Sequence, residues 1–330
     1  MSTLIERAYE EFANNYPKIL EKIRFYSNSI NDSVKDKLKK IWIDYEPTAV
    51  NKSFIAIDGG EFVKELRVGT VFLTNAEAVY GEGVNVSAID NEIKMGVFRP
   101  GNLAKERISE IMNILELSLA LRNGNKAEYI LMDGSLKKKL NNGKDVEGEE
   151  KELDEIINDE NEEESLKNLI LKSQILISRL IQNYDGKILW ISKNSKGREL
   201  FGENISDITV IESLTENPGF TLPFVHTIDG KILAKNKEVK NLEGVEITSF
   251  YIRLEKGQRV LKVDLTGRID DEGIKKIMDS LYSVSIKGYP YPLLKVHYDV
   301  KVNKEDRQRI LSILGLNHMR GNSWWPNQFF

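Results

Sequence analysis

Two short phrases of the sequence, seventy-five residues apart, share one pattern: an apolar run of strand type ends on an aspartate that glycine follows. They span residues 54–60 and 129–135, and their aspartates are Asp58 and Asp133. Such runs predict buried strands, and the glycine lets a ligand approach the backbone. Taken singly, each Asp-Gly pair is also typical of an ordinary turn. Brought together in one sheet, the two aspartates would form a site for a divalent metal ion.

The elements around these phrases follow the order βββαβ. Short β-type segments at residues 53–58, 69–74 and 84–89 predict an antiparallel meander. A helix is predicted over residues 103–122, and the next strand over 128–133. A right-handed crossover would make the first and fourth strands parallel neighbours. This is the order of the ribonuclease H-like fold, an α/β fold with a mixed sheet flanked by helices. The remaining predicted elements are helices at 166–184, 270–284 and 304–314, a strand at 187–192 and a hairpin over 246–266.

A third carboxylate is expected from the first helix, because proteins with this fold place a glutamate there. Glu116 lies at the edge of the apolar helix face, about 80° from its centre, whereas Glu106 and Glu110 point to water. An acid at the edge of a core is costly unless something pairs with it. Three carboxylates with no lysine or arginine between them predict a Mg²⁺ or Mn²⁺ site, which suits phosphodiester cleavage.

Composition narrows the class of protein. The chain has 330 residues, of which 41% are hydrophobic, and it contains no cysteine. It therefore has no disulfides and no thiolate sites. No apolar run approaches the roughly 18 residues of a membrane span, and the N-terminus lacks a signal-peptide stretch. We expect a cytoplasmic protein with no membrane partner.

Charge is distributed unevenly along the chain. The net charge of −4 argues weakly against a nucleic-acid partner, but residues 145–164 hold twelve acidic residues and one basic residue, Lys151. Without that block the rest is net basic by about seven charges. We predict a helical arm at residues 1–45, a ribonuclease H-like domain at 46–330 and a charged insertion at about 136–165 with too few apolar residues to join a core.

Four segments, taken in order, resemble the NurA nucleases, which are partners of the HerA hexameric translocase. They are residues 56–60, 131–135, 190–193 and 288–297, and the resemblance covers nearly the whole chain. It implies a manganese-dependent nuclease that acts on DNA ends in double-strand-break repair. It also implies a homodimer around a central channel and a HerA-type hexameric ATPase as partner.

The resemblance also implies a set of site residues. The implied metal ligands are Asp58, Glu116, Asp133 and His297. By its sequence context alone, His297 is more typical of an ordinary core or surface histidine, and it is the resemblance that favours a ligand. As a ligand, its imidazole suits Mn²⁺ better than Mg²⁺. Tyr289 and Tyr291 both fit the tyrosine of the motif, and Tyr289 is preferred because it opens the motif. It would orient water or contact phosphate.

Three basic residues follow the predicted strand at 187–192: Lys193, Lys196 and Arg198. They indicate either phosphate contact or solvated turn charges. No basic tract is interleaved with aromatics, so DNA binding should be independent of sequence, on single or double strands. The aromatic-rich end, residues 324–330, predicts docking on the chain itself or on a partner.

Three functions are compatible with these features. The first is a metal-dependent DNA nuclease, an exonuclease on ends and also a single-strand endonuclease. Its motor must be another chain, since no Walker loop is present. The second is an actin-like or sugar-kinase-like ATPase, which needs two ribonuclease H-like domains. The third is a non-catalytic adaptor that binds DNA ends and retains the fold.

Overall fold

The structure, a computed structural model, describes residues 3–28, 32–202 and 205–316. Its helices are α1 (Leu4–Asn28), α2 (Asp32–Ile41), α3 (Ala104–Asn123), α4 (Leu136–Leu140), α5 (Leu153–Ile157), α6 (Glu162–Tyr184), α7 (Asp207–Leu214), α8 (Asp271–Tyr282), α9 (Tyr291–Asp299) and α10 (Lys304–Ile313). Its strands are β1 (Trp42–Asp44), β2 (Ser53–Leu66), β3 (Gly69–Glu82), β4 (Asn85–Phe98), β5 (Tyr129–Asp133), β6 (Ile188–Ser192), β7 (Gly219–Thr221), β8 (Phe224–Thr227), β9 (Glu246–Arg253), β10 (Leu261–Thr266), β11 (Ser285–Ile286) and β12 (Tyr289–Pro290). No described helix combines the length and the hydropathy needed to cross a bilayer.

One mixed sheet organises the chain, with the strand order β1-β7-β9-β10-β6-β5-β2-β3-β4 and with β8 beside β9. Strands β2, β5 and β6 are parallel, and the other neighbours in this sheet are antiparallel. The segment β4-β3-β2-β5-β6 has the ribonuclease H-like arrangement. The prediction that the first and fourth strands of the βββαβ unit are parallel neighbours is confirmed, because β2 pairs with β5.

Alternate side chains of the central strands face two separate cores. Ile55 and Ile57 of β2 pack in the core that contains α3 and α6. Phe54 and Ala56 point the other way, into the core that contains α8 and α9. Since side chains alternate across a strand, Asp58 continues the Phe54–Ala56 face and lies on the side of α9.

Several predicted elements differ in extent. Strands β2, β3 and β4 each have 14 residues, because they continue well past the segments with the clearest apolar character. Residues 42–44 form an edge strand paired with β7 instead of the end of a helix. Pro17 lies inside α1 and does not divide it. The aromatic tail at residues 324–330 lies outside the described residues.

The acidic segment contributes to the core, so the expectation that it lacks core residues is wrong. Val146, Leu153 and Ile156 are 5%, 8% and 1% exposed and pack with α3 and α6. Its charges are also tied to the fold, because Glu150 accepts hydrogen bonds from Lys172 at 2.8 Å and Arg179 at 2.7 Å. Few apolar residues are present, but they are spaced so that each one faces inward.

The predicted orientation of Glu110 is also wrong. Glu106 is exposed as expected, but Glu110 is 7% exposed. Helix α3 lies between the sheet and α6, with the short α4 packed close to it, so that most of its circumference is covered. The Glu110 carboxylate accepts a hydrogen bond from Asn141 at 2.8 Å, and burial raises the pKa of this carboxyl.

Candidate metal centre

The two aspartates are neighbours on adjacent parallel strands. The pairing of β2 with β5 brings Ile57 opposite Met132, so that Asp58 and Asp133 follow side by side. Asp133 is the last residue of its strand, as predicted. Asp58 lies in the middle of β2, just after the stretch in which β2 pairs with β5. Asp58 is 7% exposed and Asp133 is half-buried.

Helix α9 adds an imidazole to this pair. The Nδ1 atom of His297 is hydrogen-bonded to Asp58 Oδ2 at 2.8 Å. Ligand atoms of Asp58, Asp133 and His297 all lie within 4.8 Å of one another. Two carboxylates and one imidazole at this spacing can hold a divalent cation. These residues therefore fit a metal ion, and the donor set with nitrogen suits Mn²⁺.

Burial and a neighbouring charge change the pKa of Asp58. Burial raises the pKa of Asp58, and the nearby charge of Asp133 raises it further, while the hydrogen bonds from His297 and the Gly59 N–H partly offset the rise. A carboxylate whose ionised form is disfavoured by burial and by a neighbouring negative charge is stabilised by an added cation.

The structure distinguishes between the two candidate tyrosines. The Tyr289 hydroxyl is buried and has no hydrogen-bond partner among the described residues. Burial raises the pKa of Tyr289, and the charges of Asp133 and Asp58 raise it further. Tyr291 instead begins α9 and donates its backbone N–H to the Val284 carbonyl oxygen.

Glu116 is buried beside the site, at 3% exposure, but it is not a member of the compact group formed by Asp58, Asp133 and His297. An added Cβ at Gly59 would lie 2.7 Å from Glu116 Oε1, so the glutamate reaches the sheet next to Asp58. Its carboxylate forms an ion pair with Lys139 of α4.

The expectation that no lysine or arginine lies among the carboxylates is wrong. Lys139 pairs with Glu116, and Lys193 Nζ lies 3.4 Å from Asp133 Oδ2. Lys139 was not identified from the sequence, because it belongs to three consecutive lysines that look like a solvated face. Its position directly after the Asp133 phrase was the one available signal.

The basic loop after β6 begins at the site. Lys193 Nζ also lies 5.6 Å from the centre of the Tyr289 ring. Lys193 and Lys196 line a cleft of about 380 Å³ together with Arg259, an exposed residue that sequence inspection missed. Arg198 is exposed in the same loop, and neither it nor Lys196 forms an ion pair with a described residue.

Comparison with known proteins decides the family. The NurA domain model matches residues 52–302, which contain every candidate site residue. The chain belongs to the NurA family. A Saccharolobus solfataricus protein named DNA double-strand break repair nuclease NurA is 41% identical over 340 residues, covering 99% of this chain and 100% of that protein.

Solved structures agree with the assignment. The crystal structure of the NurA nuclease from Sulfolobus solfataricus matches with a TM-score of 0.84 and 38% identity, covering 97% of this chain and 99% of that one. A structure described as NurA bound to dAMP and manganese matches with a TM-score of 0.64 and 15% identity, covering 97% and 98%; this second match concerns the fold alone. An actin-like ATPase would need two ribonuclease H-like domains, and the described residues of this NurA-family chain form one such sheet.

Proposed function

We propose that this chain is a metal-dependent deoxyribonuclease that hydrolyses phosphodiester bonds, with Mn²⁺ as its preferred ion and Mg²⁺ as a possible substitute. The observation that carries the proposal is the group formed by Asp58, Asp133 and His297, whose ligand atoms lie within 4.8 Å of one another. It is supported by membership of a family whose relatives are named DNA double-strand break repair nucleases.

Four residues would hold the ion: Asp58, Glu116, Asp133 and His297. A bound divalent ion would activate the attacking water and stabilise the leaving oxygen of the phosphodiester. The hydrogen bond that His297 Nδ1 makes to Asp58 Oδ2 fixes the orientation of the His297 ring. The Tyr289 hydroxyl can donate a hydrogen bond to a phosphate oxygen or to the attacking water, because burial keeps it protonated and no described residue accepts a hydrogen bond from it.

DNA would enter along the basic loop. Lys193 lies at the mouth of the site, and Lys196 and Arg259 extend the positive charge along the same cleft, with Arg198 exposed nearby. Such groups contact phosphates and do not read base edges. We therefore propose sequence-independent binding of single- and double-stranded DNA, with exonuclease action on ends and endonuclease action on single strands.

We further propose that the chain acts in the cytoplasm in DNA end resection and double-strand-break repair, as a homodimer and with a HerA-type hexameric ATPase. The support for assembly is the apolar surface of α1. Tyr9 and Phe12 are 71% and 54% exposed, and Leu4 and Ile5 are more than half exposed as well. Exposed apolar side chains at helical spacing are typical of a surface that another chain covers.

A cleavage assay tests the proposal. End-labelled linear and circular single-stranded DNA would be incubated with the full-length protein in Mn²⁺, Mg²⁺ or EDTA. We expect cleavage with Mn²⁺ and none with EDTA, and cleavage of circles would show endonuclease action. Glu116→Gln should reduce cleavage to background, while Glu106→Gln, an exposed position on the same helix, should not. DNA binding without cleavage in any metal would instead indicate the adaptor function.

A further inference from the structure

Lys139 lies beside Glu116, next to the group formed by Asp58, Asp133 and His297. Its ammonium forms an ion pair with Glu116, and only 14% of the lysine side chain and 4% of the glutamate side chain are exposed. The Glu116 carboxylate itself lies against Gly59, next to Asp58. Lys139 therefore supplies a cation to the carboxylate that lies next to Asp58.

The position of Lys139 is fixed by the fold. Helix α4 begins at Leu136, three residues after Asp133. The side chain of Asn113 in α3 donates a hydrogen bond to the Lys139 carbonyl oxygen at 3.2 Å. The side chain of Asn141, which lies just beyond α4, donates a hydrogen bond to Glu110 of α3 at 2.8 Å. These two contacts with α3 hold the backbone of Lys139 at a distance from Glu116 that the lysine side chain can span.

Other lysines nearby differ from Lys139. Lys137 and Lys138 belong to the same helix and are exposed. Lys193 lies 3.4 Å from Asp133, but 29% of its side chain is exposed. Of these four lysines, Lys139 is the one whose side chain is most buried against a carboxylate.

We propose that Lys139 is an internal counter-ion that occupies the Glu116 side of the metal site and competes with the divalent ion. In the metal-free protein it neutralises Glu116, which would otherwise be a buried unpaired charge. When Glu116 joins the metal ligands, the ammonium and the metal ion repel each other across the carboxylate that both contact, which weakens metal binding. Lys139 thus keeps the empty site folded and raises the metal concentration at which the site fills. This inference rests on the proposed function.

The test compares Mn²⁺ affinity and stability, with no cleavage assay involved. Full-length wild type, Lys139→Met and Lys139→Gln would be titrated with Mn²⁺, and free Mn²⁺ would be measured by electron paramagnetic resonance. We expect both variants to bind Mn²⁺ roughly tenfold more tightly, or better, since a nearby positive charge is removed. Without metal both should melt at a lower temperature than wild type, and saturating Mn²⁺ should raise their melting temperature by more than it raises that of wild type.

Lys138→Met is the matched control, because Lys138 is the exposed neighbour in the same helix; it should behave as wild type. Lys139→Gln retains an N–H donor for Glu116, so the test can still be carried out if Lys139→Met does not fold. Equal or weaker Mn²⁺ binding by the Lys139 variants would overturn the inference, even where their stability falls. Absence of Mn²⁺ binding by the wild type would instead contradict the proposed function itself.

Discussion

Replacing Gly60 by alanine tests how tightly α9, and with it His297, is held against the sheet. An added Cβ at Gly60 would lie 2.1 Å from the carbonyl oxygen of Val300 and 2.7 Å from Asn75 Oδ1. Val300 follows α9 directly, and its carbonyl oxygen also accepts a hydrogen bond from Asn75 at 3.1 Å. Strand and helix end can approach this closely because position 60 has no side chain.

The structure sets the size of the effect. Overpacking costs about 1–3 kcal/mol, and we expect about 2–3 kcal/mol here because the clash is with main-chain oxygen and not with a flexible side chain. The end of α9 must move by about 1 Å to restore normal contact, and a displacement of this size at a catalytic group can reduce the rate about 100-fold. Gly60→Ala should therefore lose activity out of proportion to its lost stability.

The assay pairs chemical denaturation without metal with the cleavage rate in Mn²⁺. Gly101→Ala is the matched control: its added Cβ would also lie 2.1 Å from an oxygen, but that oxygen is Glu162 Oε2, the mobile end of a side chain. The control should retain nearly wild-type stability and rate. A Gly60→Ala protein that unfolds and cleaves like wild type would show that contact between β2 and the end of α9 does not position His297.

Three further predictions concern other parts of the molecule. Ile156→Ala should lower the free energy of unfolding by about 2–5 kcal/mol, because this residue of the acidic segment is 1% exposed; a loss below about 1 kcal/mol by urea denaturation would mean that the segment is only loosely attached. Tyr9→Lys combined with Phe12→Lys should convert a dimer to monomers in light scattering without changing the circular dichroism spectrum, and a persistent dimer would place the interface elsewhere. Lys193→Ala should weaken binding to DNA of every sequence, and it should lower the slope of log affinity against log salt concentration by about one. An unchanged slope, measured by fluorescence anisotropy, would exclude a contact between Lys193 and a phosphate.

The parts of the fold that follow local pattern were predictable from sequence. The apolar runs before Asp58 and Asp133 specify buried strands, and a helical crossover between strands makes parallel neighbours. Glu116 was recognisable because an acid among apolar residues needs a partner. The structure places it beside the site as expected, with Lys139 as its ion-pair partner.

The errors arose where distant parts of the chain decide the outcome. Glu110 is buried because α4 and α6 cover the side of α3 that periodicity assigns to water. Ile156 is buried because α3 and α6 provide a surface for a segment that looks too acidic to pack. Lys139 could not be identified from its neighbours, since three adjacent lysines are indistinguishable until α4 has been placed. Contacts between segments far apart in sequence determine the burial of Glu110 and Ile156 and the position of Lys139.

Anomalous diffraction tests the central claim most directly. Crystals of the full-length protein would be soaked in Mn²⁺, and data would be collected at the manganese absorption edge. The predicted result is a peak within about 2.0–2.6 Å of carboxylate oxygens of Asp58 and Asp133, with a nitrogen of His297 in the same coordination shell, and its loss in Asp133→Asn. A protein that shows manganese peaks only elsewhere, or none at saturating Mn²⁺, would contradict the assignment of these residues as a metal centre.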